Sequence, residues 1–190
     1  IGVLAVQGDF LEHMQVLGKI GVESREIRLP CQLDTIDGLI MPGGESTTIV
    51  QLIDIYGLRG ALVDKADRGM PIWGTCAGMI VIAERLTAHR PEPLHLMNIE
   101  VGRNAFGRQV DSFETDLEII DVGGPPFRAV FIRAPVVQSV GDKVKVLATL
   151  DDGRPVAVRE GRILATAFHP ELTDDARVHE MFVRIVKSSS

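Results

Sequence analysis

Cysteine, basic charge and long apolar runs are all in short supply in this chain, and each shortage removes a class of protein. The two cysteines, Cys31 and Cys76, form no disulfide framework and no metal-ligand spacing. Lys+Arg number 20 against 26 Asp+Glu, the net charge is -6 and the charges are scattered, so no nucleic-acid footprint is expected. Apolar runs break off well before the length of a membrane span. No basic segment or cleavage-site pattern precedes Ile1–Val6, which makes a cytoplasmic enzyme the expectation. No internal repeat or low-complexity linker interrupts the sequence.

What is there suits a folded enzyme. The 190 residues are 45% hydrophobic and 24% charged, enough for one domain with a substantial core and too few for two ordinary ones. Residues 1–187 are expected to form that domain, with 188–190 as a frayed tail.

Ile1–Val6 reads as a strand buried on both faces, followed by a helix carrying Phe10, Met14 and Leu17. Val22–Leu29 and Gly38–Met41 read as further strands, and helices follow on Ile49–Tyr56 and Leu58–Arg68. Strands alternating with helices in this way predict a mostly parallel α/β sheet covered on both faces. Past Arg85 the pattern shifts to short strand-like runs, among them Leu117–Val122, Ala129–Arg133 and Val144–Leu150. Gly153 and Gly161 suit hairpin turns, so extra antiparallel strands are expected in the C-terminal half. A last helix presents Val178, Met181, Phe182, Ile185 and Val186 on one face, with Thr173 or Asp174 available to cap it.

Trp73-Gly74-Thr75-Cys76-Ala77-Gly78-Met79 joins an apolar strand to a helix-like run from Met79 to Leu86. Gly74-x-Cys76-x-Gly78 has the form of a nucleophile elbow, a sharp turn that lifts its central residue above the sheet. At a helix N-terminus the thiolate is favoured, and the thiolate is the reactive form. The plainer reading is a small buried cysteine packed between strand and helix, and the pentapeptide alone leaves both open. Cys31, after Pro30 in a loop, is read as incidental.

A cysteine nucleophile needs a base and a group to orient that base. Of the five histidines, His13 and His179 fall within helical patterns and read as solvated or satisfied residues, while His89 and His95 flank a proline-rich loop. His169 ends a strand and so lies at a carboxyl edge of the sheet, where open α/β folds place their sites. Glu171 is placed to reach the ring Nδ1–H and leave Nε2 facing the thiol. An oxyanion needs two donors: the N–H of Ala77 is one, and the loop Pro42-Gly43-Gly44-Glu45-Ser46 can turn another inward. That loop lacks the endings of a P-loop or a dinucleotide site.

The elbow cysteine, the Gly-Gly-Glu-Ser loop and His-x-Glu, in this order on an α/β chain, resemble class I glutamine amidotransferases. Val6-Gln7-Gly8, Glu12-His13, Leu39–Thr48, Gly74–Met79, Arg103–Glu114, Phe131–Pro135 and Phe168–Thr173 are similar to the glutaminase subunits of pyridoxal 5'-phosphate synthase. Arg103–Glu114 is the discriminating stretch, because the triad motifs are common to all class I glutaminases. The resemblance implies a three-layer sandwich and a triad of Cys76, His169 and Glu171. It implies an oxyanion hole from the N–H groups of Gly44 and Ala77, and a glutamine site including Gly44, Glu45, Ser46, Arg103, Ile132 and Arg133. An arginine suits the α-carboxylate of glutamine, and the sequence leaves open whether Arg103 or Arg133 makes that contact.

The implied reaction hydrolyses L-glutamine through a thioester and passes ammonia to the synthase subunit of the PdxS/SNZ family in a large hetero-oligomer. No metal and no cofactor are implied, pyridoxal 5'-phosphate being the product. Two other readings share the fold: a glutaminase of another synthase, such as one in histidine biosynthesis, and a redox-sensing cysteine protein.

Overall fold

The structure is a computed structural model describing residues 1–102 and 112–188. Arg103, the rest of the stretch to Asp111, and residues 189–190 of the expected 188–190 tail lie outside the described residues, while Ser188 is tied to the last helical turn, its N–H bonded to the Arg184 carbonyl at 3.0 Å.

The first half alternates as its periodicity requires: β1 (Gly2–Leu4), α1 (Phe10–Lys19), β2 (Arg25–Ile27), a 3-10 turn (Pro30–Thr35), β3 (Leu39–Met41), α2 (Ser46–Ile55), α3 (Leu58–Asp67) and β4 (Ile72–Thr75). The elbow leads into α4 (Ala77–Ile82), then β5 (Ala83–Leu86), β6 (Met97–Gly102), β7 (Ser112–Leu117), β8 (Phe127–Ile132) and β9 (Val136–Val140). The chain ends with β10 (Lys145–Thr149), β11 (Pro155–Glu160), β12 (Ile163–Thr166), a 3-10 turn (Pro170–Leu172) and α5 (Arg177–Lys187).

A seven-stranded sheet runs in the order β10-β11-β12-β4-β3-β1-β2. It is parallel from β2 through β1, β3 and β4 to β12, and antiparallel across β11 and β10. β5, β6 and β9 form a second sheet and β7 pairs with β8 in a third. The mostly parallel sheet and the antiparallel strands of the second half are those the sequence predicts. Trp73 on β4, Phe168 beyond β12 and Phe182 on α5 are all fully buried, so the apolar stripe of α5 closes over the centre of the sheet. No described helix is long and apolar enough to cross a membrane.

Three local expectations need correction. The helix expected from Met79 to Leu86 stops at Ile82, and Ala83–Leu86 is a strand pairing with β6. Every residue from Ala77 to Ala83 is buried, so no polar stripe marks a helical face. The carbonyls of Val81 and Ile82 accept from the N–H of Leu94 (2.7 Å) and Leu96 (3.0 Å) instead of from a further turn. Leu117–Val122 is not a strand. β7 ends at Leu117, and the run turns at Asp121, whose φ of 69° is left-handed, with Ile119 buried. Neither Thr173 nor Asp174 caps α5: its first flanking residue is Ala176, and Asp175 accepts the Arg177 N–H (3.0 Å).

Candidate active site

Parallel strands deliver their carboxyl ends to one edge, and four of them meet here. Cys76 follows β4, His169 lies just beyond β12, the Pro42–Glu45 loop follows β3, and Gln7–Asp9 follows β1.

Cys76 has φ 49° and ψ -106°, a backbone conformation a β-carbon makes costly, and its N–H is held by the Thr166 carbonyl at 2.8 Å. Gly74 and Gly78 make the turn possible. A Cβ on Gly78 would lie 2.0 Å from the Met41 carbonyl oxygen, and one on Gly74 would lie 2.5 Å from the carbonyl oxygen of Gly78. The cysteine is 7% exposed, and its Sγ lies 3.8 Å from the Ile132 carbonyl at the end of β8. Ala77 opens α4, so its N–H has no acceptor within the helix.

His169 is buried, its N–H bonded to the Val130 carbonyl at 2.8 Å, and its ring Nδ1 lies 2.7 Å from Glu171 Oε1. Burial disfavours the imidazolium, but the Cys76 sulfur and the Glu171 carboxylate outweigh it and push the His169 pKa up to about 10. Burial raises the pKa of Glu171, with His169 acting in the opposite sense. The three sequence-derived residues are therefore assembled at one point, with Nε2 left as the ring nitrogen for the cysteine.

The Gly43–Gly44 loop touches this group. A Cβ on Gly43 would lie 2.5 Å from His169 Cε1, and the Gly43 carbonyl accepts the Asp9 N–H at 3.1 Å. Gly44 has φ 151°, and the Glu45 N–H donates to Gln7 Oε1 at 2.9 Å. The Glu45 carboxylate caps α2, accepting from the N–H of Thr47 (3.2 Å) and Thr48 (2.7 Å) and from the Thr48 hydroxyl (2.9 Å). Burial pushes its pKa up, but those donors prevail and hold it below the usual carboxylate range. Ser46 is buried in the first turn of α2. Ile132 ends β8 beside the cysteine, and the exposed Arg133 follows it with a left-handed φ of 43°.

Sequence reasoning missed Asp9 and His13. Asp9 Oδ2 lies 3.7 Å from His169 Nδ1, and Asp9, His169 and Glu171 form a group with ligand atoms converging closely enough to hold a cation. His169 and Glu171 already bond to each other through two of those atoms. His13 is fully buried, with Nε2 3.4 Å from Glu171 Oε2, and its Nδ1 lies 2.9 Å from Nε2 of the buried His179. The available signal was spacing: His13 stands on the same stripe of α1 as buried Val16 and Leu17.

Residues 3–188 match the model of the SNO glutamine amidotransferase family. Pyridoxal 5'-phosphate synthase subunit PdxT of Herpetosiphon aurantiacus is 55% identical over 186 residues, covering 96% of this chain and 98% of that protein. Its namesake in Thermotoga maritima is 52% identical over 187 residues, covering 98% and 99%. A solved glutamine amidotransferase superposes with a TM-score of 0.92 at 46% identity, covering 98% of each chain. The solved PurLQS of Thermotoga maritima, 17% identical with a TM-score of 0.68, covers 96% of each chain and shares the fold. The elbow cysteine, the His169–Glu171 pair and a match along nearly the whole sequence lead to one conclusion: this chain belongs to the SNO glutamine amidotransferase family.

Proposed function

We propose that this chain is the glutaminase subunit of a pyridoxal 5'-phosphate synthase, hydrolysing L-glutamine to L-glutamate and supplying the ammonia to a separate synthase subunit. The observation that carries this reading is identity above one half to proteins named pyridoxal 5'-phosphate synthase subunit PdxT, along almost their full length. One contiguous apolar core runs from Val3 to Val186, which supports residues 1–187 acting as a single glutaminase domain.

The Cys76 sulfur, its proton held by His169, bonds to the side-chain amide carbon of glutamine, and the carbonyl electron pair moves to oxygen. The N–H groups of Ala77 and Gly44 hold that oxyanion. As the C–N bond breaks, His169 gives its proton to the departing ammonia and a glutamyl thioester remains. His169 then takes a proton from water, the hydroxyl adds to the thioester carbon, and the C–S bond breaks to release glutamate. Glu171 fixes the ring through Nδ1, supported by the 2.7 Å hydrogen bond. Ile132, Arg133, Arg103, Gly44, Glu45 and Ser46 form the glutamine site in this reading, with Glu45 held in one orientation by its cap.

A glutaminase working alone would waste glutamine, so the synthase subunit is the natural switch. The Gly43–Gly44 peptide is the element to act on, because turning it over breaks the Asp9 N–H bond to the Gly43 carbonyl and reorients the Gly44 N–H. No observation favours the histidine-biosynthesis or redox-sensor alternative.

The experiment is glutamate release from glutamine with and without a pyridoxal 5'-phosphate synthase subunit, for this chain and for Cys76→Ala. Stimulation that disappears in Cys76→Ala is expected. Activity indifferent to that subunit would sink the vitamin B6 assignment, and activity surviving in Cys76→Ala would sink the mechanism.

A further inference from the structure

Glu171 has one oxygen accounted for and one not. Oε1 receives the Nδ1–H of His169, whereas Oε2, fully shielded from solvent, accepts no hydrogen bond of normal geometry among the described residues. A buried carboxylate oxygen without a donor costs free energy. The group facing it is His13 Nε2 of α1 at 3.4 Å, which also lies 3.2 Å from the Thr75 hydroxyl of the elbow strand.

The protons on this cluster follow from counting. His13 Nδ1 and His179 Nε2 are 2.9 Å apart, so one of them carries the hydrogen and the other accepts it. Both rings are neutral: burial drives the His13 pKa well below its ordinary value and that of His179 to about 3. If His13 Nδ1 carried the hydrogen, its bare Nε2 lone pair would face the carboxylate. His179 would then hold its own hydrogen on Nδ1, a buried atom with no partner among the described residues. Two groups would be unmet, even with Thr75 donating to His13. With the hydrogens on the two Nε2 atoms, His179 donates to His13 and His13 donates toward Glu171, leaving one bare acceptor at His179 Nδ1.

The cluster is also held mechanically. Trp73 meets both rings edge-on, at centroid distances of 5.6 Å to His13 and 4.9 Å to His179. Its Nε1–H donates to Thr166 Oγ1 at 3.1 Å, so β4 and β12, the strands that carry the nucleophile and base, also fix this pair.

We infer that His13 is a positioning residue for the glutaminase triad: its Nε2–H, oriented by His179, holds the second oxygen of Glu171 so that the first stays aimed at His169. This rests on the glutaminase reading above. It extends the triad from Cys76 through His169 and Glu171 to His13 and His179, on four segments brought together only by folding. The titratable groups facing His13 are Glu171, His169 and His179, and Asp9 approaches the same Nδ1 of His169 that Glu171 does, at 3.7 Å. Losing the donor disfavours the ionised form of Glu171, so the acidic limb of activity moves to higher pH.

The test compares His13→Leu and His13→Gln with the unaltered chain, each assayed with its synthase subunit. His13→Leu is expected to lower kcat for glutamine hydrolysis by about tenfold to a hundredfold, in the range seen when an outer partner of a functional group is removed. KM should stay within about twofold and the acidic limb of kcat/KM should rise by about one pH unit. His13→Gln, whose amide can donate, should recover most of the loss. Equal losses in both variants with an unmoved acidic limb would overturn the proposal. A second measurement needs no variant: nitrogen-15 NMR of histidine-labelled full chain should find His13 protonated at Nε2 and bare at Nδ1. The opposite tautomer would overturn it even if the variants fail to fold. An unaltered chain that releases no glutamate with its synthase subunit would fail the glutaminase reading, whereas normal release with the opposite tautomer would fail this inference alone.

Discussion

Cys76 stores strain that a glycine would relieve, yet only a side chain there can react. A non-glycine residue in this part of backbone space costs about 1–3 kcal/mol. The cost is met by its surroundings: the Thr166 carbonyl holds the cysteine N–H, and the flanking glycines let strand and helix approach. Opposite it, the neutral amide of Glu171→Gln can still accept from His169 Nδ1 but carries no charge to favour the imidazolium. Its kcat with the synthase subunit is expected to fall on the order of 10⁴-fold with KM little changed, the loss seen when a triad carboxylate is neutralised. Glutamate release at the unaltered rate would remove Glu171 from the mechanism.

At the scale of elements, the site depends on where helices begin. α2 starts directly after the Gly43–Gly44 loop, and Glu45 satisfies its first free N–H groups. Replacing this residue in Glu45→Ala removes the cap and should lower stability by about 0.5–2 kcal/mol. The denaturant midpoint should fall with an unchanged slope. An unshifted midpoint would mean that Thr47 and Thr48 find other acceptors. α4 begins at the nucleophile and ends after six residues, because its last carbonyls are taken by the 94–96 segment. Its brevity lets the chain leave the sheet at once and build β5 and β6 beside the core.

For the whole molecule, three buried histidines set how stability responds to pH. His13 and His179 are neutral when folded and titrate near pH 6.5 when unfolded, so below about pH 6.5 the unfolded chain binds protons the native one does not. Stability is then lost as pH falls, by up to about 1.4 kcal/mol per pH unit for each histidine. His169 acts the other way. Its pKa is raised to about 10, so its contribution is full below pH 6.5 and is lost as pH rises toward 10. Glu171, also raised, opposes the two neutral histidines at lower pH. Denaturant unfolding from pH 5 to 9 should show maximal stability near neutrality, and His179→Gln should flatten the acid limb. An acid limb of unchanged steepness would show that His179 does not titrate on unfolding.

The α/β alternation, the elbow and the candidate triad are all written in local spacing: apolar periods of strand and helix, glycines two residues either side of Cys76, and Glu171 two residues after His169. The sequence also carried the family. The rest came from contacts made on folding. β5 escaped because α4 is buried all round, leaving no period to mark its end, and the Leu117–Val122 run leaves its strand ladder at Leu117 and turns, with Ile119 buried and Ile120 exposed. His13, on an otherwise ordinary helix, faces Glu171 from 158 residues away, and His179 comes from the opposite end of the chain. Contacts between distant segments leave no local spacing to read; the parallel sheet and the α5 helix closing over it create them.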